Sequence, residues 1–423
     1  MKILVITRNA WDDNNSIGNS ISNFFSNVPD IEFANIYFRA QKPNNKLCKR
    51  YFRITEKDII RNWFSPSKIG KCFTQDDHTS EATRDQVNEK KIISFVHKHN
   101  IKILYRFSNR LWNSQKWVNE KLDDFITSFS PDMVFSFVKA APQYFQMISL
   151  LRKKYDVPLF TWIADDEYSV YQRKSKKDEI VKLGYILKES SVLRGCSKEI
   201  CEYYNSIFGC NATPLYKGCD LSYPVKNAVG DPIVIIYAGN LLYGRLEILR
   251  NISDAVEKYS ALNSKNVQFD IYSNTLLSEE DIQKNFGTNN CTRFLGKENY
   301  DVIKTRLPSA DVLLHVESFE KEEILKTKYS FSTKIIDYQQ SGSVIMAVGP
   351  SEVASMQYIR DIPGAFVVDE MSSLYEELQV FFNDSDNFYE RARKSHEFAL
   401  ANHDSKVLSN DMLNILQQLQ KMQ

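Results

Sequence analysis

The sequence predicts an α/β protein of two domains, each a parallel sheet wrapped in helices, and three observations carry that prediction. At 423 residues the chain exceeds what one ordinary core organises, so two domains are expected. Short apolar strands alternate with helical segments through both halves, as they do where parallel strands are joined by helical crossovers. A polar stretch at 223–232, with Pro224, Gly230 and Pro232, reads as the linker between the halves.

Each element follows from its local pattern. Residues 3–6 form a compact apolar run, read as a buried first strand. The polar loop 7–19 carries Gly18, and Ile21, Phe24 and Phe25 then fall at helical spacing. Strand, glycine-bearing loop and helix open a nucleotide-fold domain. Apolar strands ending in small or polar residues recur at 131–137 and 157–163. Residues of about 42–122 break the pattern by mixing bases with aromatics, among them Arg50, Tyr51, Phe52, Trp63, Phe64, Arg110, Trp112, Lys116 and Trp117. They are read as a largely helical insertion. Such a face either lies on anionic lipid, through 46–73 and 102–117, or is an amphipathic cap with buried aromatics and solvated bases. The second half opens with a strand from Ile233 and continues with strands near 267–272, 292–295, 312–315 and 344–348. The expected division is 1–222, 223–385 and a helical tail 386–423, with a C-terminal helix returning to the first domain.

Composition excludes several classes. There are 54 basic and 53 acidic residues, a net charge of +1, so no global field favours nucleic acid. No apolar run approaches the roughly 20 residues a membrane span requires. The seven cysteines show no C-x-x-C pair and no zinc spacing. Reduced thiols in a cytoplasmic protein, with peripheral contact at the inner face of a membrane, are expected, with neither a bound metal nor a permanent cofactor.

Two segments carry candidate chemistry. In 237–245 the strand ends in Ala238-Gly239-Asn240, where a missing side chain admits a ligand to the backbone, and Arg245 follows as a diphosphate clamp. In 330–348 a helix, a glycine stop at Gly342 and a buried strand succeed one another. Ser332 or Thr333 suits a helix cap, which leaves amides for phosphate. Lys334 and Asp337 share a helix face, a cation for phosphate beside a carboxylate for ribose. In the first half, Asp165, Asp166 and Glu167 end a strand; Asp165 either binds or activates an acceptor hydroxyl, or the group merely caps a helix. His315, after an apolar run, reads as a core histidine.

The stretch from Ile233 to Pro350 resembles the donor-binding domain of GT-B glycosyltransferases, in particular the retaining family 4 group. That group carries two glutamates eight positions apart and then a small-residue-Gly-x-Pro-Val-Ile run. Here Asp337 stands where the second glutamate lies, five residues before Gly342, and Tyr329 stands at the first, with Glu317 or Glu320 upstream to take its place. Residues 216–220, Tyr-Lys-Gly-Cys-Asp, are similar to the turn that closes the family's first domain, with Lys217 in place of Asn. The resemblance implies two Rossmann-like domains across a cleft and a UDP- or GDP-sugar donor transferred with retention to a glycan or polyprenyl-linked acceptor of cell-surface polysaccharide. It assigns Arg245, Lys334 and Asp165 to catalysis. Gly18, Gly239, Asn240, Arg245, Glu317, Ser332, Thr333, Lys334 and Asp337 are assigned to the donor, the loop bearing Gly18 closing over the phosphates. A sugar-nucleotide 2-epimerase and a non-catalytic nucleotide-binding subunit are the competing readings.

Overall fold

The computed structural model describes residues 1–74, 102–220, 223–226, 228–287 and 289–421. They divide into two compact units, Met1–Leu215 with Ser409–Gln423, and Tyr216–Leu408.

The first unit is built on β1 (Lys2–Thr7), β2 (Glu32–Tyr37), β3 (Cys48–Arg53), β4 (Lys71–Thr74), β5 (Met133–Phe137), β6 (Leu159–Ile163), β7 (Val192–Gly195) and β8 (Thr213–Pro214). They form one sheet in the order β4-β3-β2-β1-β5-β6-β7-β8. Only the β3–β4 pairing is antiparallel among its described strands. Leu4 pairs in register with Ala34 on one side and Val134 on the other. Ile3, Leu4, Val5 and Ile6 are all inaccessible to solvent. A run apolar at every position is what a strand covered on both faces requires. The C-terminal segment joins this unit, where the Ser409 hydroxyl donates to the Asn27 carbonyl at 2.7 Å.

The stretch read as a helical insertion differs from that expectation. Cys48–Arg53 and Lys71–Thr74 are strands of the sheet, because aromatics on both faces of β3 find cover. Tyr51 stacks on Phe73 with centroids 5.6 Å apart, while Phe52 packs on Phe125 at 5.2 Å. Arg50 lays its guanidinium over Phe125 and Phe129. Helices do follow at Lys102–Asn113 and Glu120–Phe129. Residues 75–101, with His97 and His99, lie outside the described residues. Gly18 sits in the first turn of the helix Ser16–Phe25 rather than in a loop, and its amide donates to the Asn15 cap at 2.8 Å.

The second unit holds β9 (Ile233–Ala238), β10 (Val267–Tyr272), β11 (Thr292–Gly296), β12 (Val312–Val316), β13 (Val344–Val348) and β14 (Phe366–Val368). They are parallel, in the order β11-β10-β9-β12-β13-β14. The order reverses between β9 and β12, and a crevice at the carboxyl ends of such neighbours is where open α/β sheets bind ligands. Phe388 and Ala392 join this unit's core, so the helix Phe388–His403 belongs here rather than to a separate tail.

Leu314, in the middle of β12, is fully buried. Leu314→Ala is expected to destabilise the second unit by about 2–5 kcal/mol. Chemical denaturation followed by aromatic fluorescence measures this; a loss below about 1 kcal/mol would mean that β12 is not a core strand.

Candidate functional site

The site grows from the carboxyl ends of β9 and β12. Beyond β9 the chain reaches Gly239, where a β-carbon would stand 2.8 Å from the Lys334 ammonium and equally close to the Tyr237 hydroxyl. Tyr243 and Gly244 then adopt φ of 59° and 72°, a left-handed turn that glycine accepts without strain. A β-carbon on Gly244 would meet the Ser318 hydroxyl at 2.4 Å. The bare turn therefore presses against the residues after β12, and it starts the helix Arg245–Asn263 with Arg245 at its first position.

Arg245 is almost completely engaged. Its Nη2 donates to Glu317 Oε1 and Oε2 at 2.8 and 3.0 Å, its Nη1 to Asn240 Oδ1 at 2.9 Å, and its Nε to the Val316 carbonyl at 3.2 Å. Both partners are buried, with side chains 13% and 3% exposed. Behind them the fully buried His315 places Nε2 at 3.1 Å from Ser355 Oγ and 3.3 Å from Glu317 Oε1. Burial alone pushes the Glu317 pKa up; the His315 hydrogen bond and the Arg245 charge prevail and bring it down to about 2. Burial lowers His315 to about 4, so its ring is neutral at pH 7. A proton on Nε2 satisfies Glu317, and Nδ1 has no partner among the described residues. Glu317 thus acts on Arg245, and the two together carry little net charge.

Lys334 supplies the unanswered charge. Its ammonium lies 4.1 Å from the Tyr237 ring centroid and 5.9 Å from that of Tyr338. It makes no hydrogen bond or ion pair among the described residues. Burial, and then the positive charge of Arg245, lower its pKa to about 7 against the pull of Glu317. Tyr338, one turn along the helix Lys334–Gln340, receives the Ala238 amide at 3.2 Å and donates to the Leu314 carbonyl at 3.3 Å. That locks the lysine-bearing helix to both strands.

Asp337, one turn from Lys334, is bound through Oδ1 by the Lys217 ammonium at 2.7 Å and the Tyr300 hydroxyl at 3.2 Å. Lys217 is buried and belongs to the second unit, although sequence reading put it in a turn closing the first. Ser332 and Thr333 do not cap as expected. Thr333 is already helical (φ −59°, ψ −19°) and its side chain makes no cap hydrogen bond. Glu320 is exposed and Tyr329 half-buried.

Gly18 and Asp165 lie in the first unit. Asp165 is exposed and holds Lys139 at 2.9 Å, with Glu167 on the same ammonium at 2.7 Å. Asp166 caps the helix Glu167–Arg173, receiving the Ser169 amide at 3.1 Å. Among the described residues no group of histidines, cysteines and carboxylates has the form of a metal site, and no helix is long and apolar enough to cross a membrane. Sequence reading missed the parts played by Ser355, Tyr300 and Lys217. They come from distant positions, and nothing in their spacing announces the contact.

The two sheets define the class of fold. No family model matches the sequence, and no curated protein matches it. Solved structures do match. The chain superposes over 100% of its length on 100% of a sucrose-phosphate synthase of Thermosynechococcus elongatus, with TM-score 0.64 and 12% identity. It also matches Anabaena HepE in complex with UDP and glucose, TM-score 0.62, 12% identity, 99% of this chain on 100% of that one. The third is WaaG, a glycosyltransferase involved in lipopolysaccharide biosynthesis, TM-score 0.59, 11% identity, 98% on 99%. The chain has the GT-B fold.

Removing one member of a buried ion pair strands the other, at a cost of about 3–5 kcal/mol. Arg245→Ala and Glu317→Ala are each expected to destabilise the second unit by that order, and the double variant by much less than their sum. Denaturation of all four proteins tests the coupling; additive losses would mean the pair is not formed.

Proposed function

We propose that the chain is a glycosyltransferase whose second unit binds the diphosphate of a sugar nucleotide at the carboxyl ends of β9 and β12. The observation that carries this is Lys334, a cation with no hydrogen bond or ion pair among the described residues, standing over the bare backbone of Gly239 at a strand-order reversal. A diphosphate placed there meets the ammonium directly. Arg245 contributes the remaining Nη1 hydrogen and, through Asn240, the shape of the loop. Asp337 keeps Oδ2 for the ribose hydroxyls while Lys217 and Tyr300 hold Oδ1. The structure of similar fold named as a glycosyltransferase, and the one named with UDP and glucose bound, support the reading.

Catalysis on this reading is electrostatic. Negative charge accumulates on the departing diphosphate as its bond to the sugar breaks, and a preorganised cation stabilises that charge more than the ground state. The donor is a UDP- or GDP-sugar and transfer retains configuration. The acceptor is a glycan or a polyprenyl-linked sugar of cell-surface polysaccharide, met in the cytoplasm or at the inner face of a membrane. Gly18 is kept for the donor, Asp165 is the carboxylate for an acceptor hydroxyl, and no metal enters.

Lys334→Met is expected to reduce transfer about 100-fold or more, as loss of a transition-state donor does. Donor consumption is measured with and without acceptor. Turnover without acceptor would indicate an epimerase, and no turnover with either a binding subunit.

The pH dependence has a definite sign. Free Lys334 titrates near 7, and a bound diphosphate favours its charged form and raises that pKa, so binding takes up a proton. UDP-glucose affinity should therefore be highest below pH 7 and fall as pH rises through 7 toward 9, an effect absent from Lys334→Met. Calorimetry in buffers of different ionisation enthalpy reads the uptake; pH-independent affinity would remove Lys334 from the phosphate.

A further inference from the structure

The first unit has its own reversal of strand order, between β1 and β5, and the residues leaving the strands there are cations. Arg8 directly follows β1, Arg39 lies just beyond β2, and Lys139 just beyond β5. The Phe38 amide donates to the Arg8 carbonyl at 3.1 Å, so the two arginines leave adjacent strand ends one residue out of step. Lys139 is balanced by Asp165 and Glu167. Arg8 is not balanced. Its side chain reaches solvent, and its guanidinium makes no hydrogen bond or ion pair among the described residues.

The surroundings make that charge unfavourable as it stands. Desolvation, and next the charge of Arg39, pull the Arg8 pKa down, against weaker pulls from Tyr144, Glu167 and Glu56. Neither acid neutralises it. Glu167 is held by Lys139, and Glu56 accepts from the Ser108 hydroxyl and the Trp112 indole. Phe38, the residue before Arg39, is buried and packs edge-on to Trp112 and Tyr144 at 5.3 and 5.6 Å. Two arginines leave adjacent strand ends, and the Arg8 fork, without a hydrogen bond or ion pair among the described residues, suits the charge-assisted bidentate bonds that a phosphate dianion accepts.

We propose that the carboxyl edge of the first unit binds a phosphate-bearing sugar acceptor, with Arg8 and Arg39 on the phosphate and the Asp165–Lys139–Glu167 group on the sugar hydroxyls. The role as acceptor rests on the glycosyltransferase reading; the anion site rests on the first unit alone. The phosphate belongs either to a soluble sugar phosphate or to a lipid-linked sugar diphosphate.

Calorimetry of glucose 6-phosphate, glucose, geranyl diphosphate and, in parallel, UDP-glucose separates these. Wild-type protein should bind a phosphorylated probe at least about tenfold more tightly than glucose, and Arg8→Gln or Arg39→Gln should lose about tenfold or more of that affinity. UDP-glucose binding should change less than about twofold in these variants, a shift within the scatter of a surface substitution. Tighter binding of geranyl diphosphate assigns a lipid-linked acceptor, and tighter binding of glucose 6-phosphate a soluble one. Equal affinity for phosphorylated and neutral sugar, or undiminished affinity in both variants, overturns the proposal, as does a matching fall in UDP-glucose affinity. Phosphate binding without UDP-glucose binding keeps the anion site and sinks the glycosyltransferase reading instead.

Discussion

The second unit's carboxyl edge depends on one buried ion pair, Arg245 with Glu317. The pair ties the loop after β9 to the residue after β12, two places consecutive in space and far apart in sequence. Charges taken out of water are tolerated only where geometry and further hydrogen bonds compensate, and here they do. Glu317 has both oxygens on the guanidinium and a neutral histidine behind it, and Arg245 has a carbonyl and an asparagine besides. The absence of side chains at Gly239 and Gly244 follows from the same constraint, since the loop must lie against Lys334 and Ser318 for the pair to close.

This arrangement separates two tasks that one cation often combines. The arginine, paired with its carboxylate, fixes shape. The lysine, uncancelled and lowered toward neutrality by burial and by the arginine beside it, is the responsive group. A polar site assembled before the ligand arrives spends no free energy on reorganisation when charge develops. The Tyr338 hydroxyl, bound to backbone of both β9 and β12, extends that rigidity to the helix carrying Lys334 and Asp337.

Both units follow one topological rule with different chemistry. At the reversal of the second sheet stand a glycine turn, a neutral ion pair and one lysine. At that of the first stand Arg8 and a lysine balanced by two acids. The strand order brings these residues to a common edge; the side chains decide what the edge attracts.

Much of this was legible in the sequence, for identifiable reasons. Strands buried on both faces declare themselves as apolar runs, so β1, β9, β12 and β13 are readable directly. The small residues after β9 and the Lys334–Asp337 face are local patterns, visible at short range. By contrast β3 and β4 were hidden, because their bases alternate with aromatics whose cover on Phe73 and Phe125 is supplied by residues remote in the chain. Spacing likewise gives no sign that Glu317 is spent on Arg245, that Lys217 belongs with Asp337, or that Ser332 and Thr333 leave their helix uncapped. The sequence by itself determined which residues carry charge at strand ends and that two parallel sheets would present them. Tertiary structure alone decided which charges cancel and which remain, because Coulomb energy and desolvation depend on distance and burial in three dimensions.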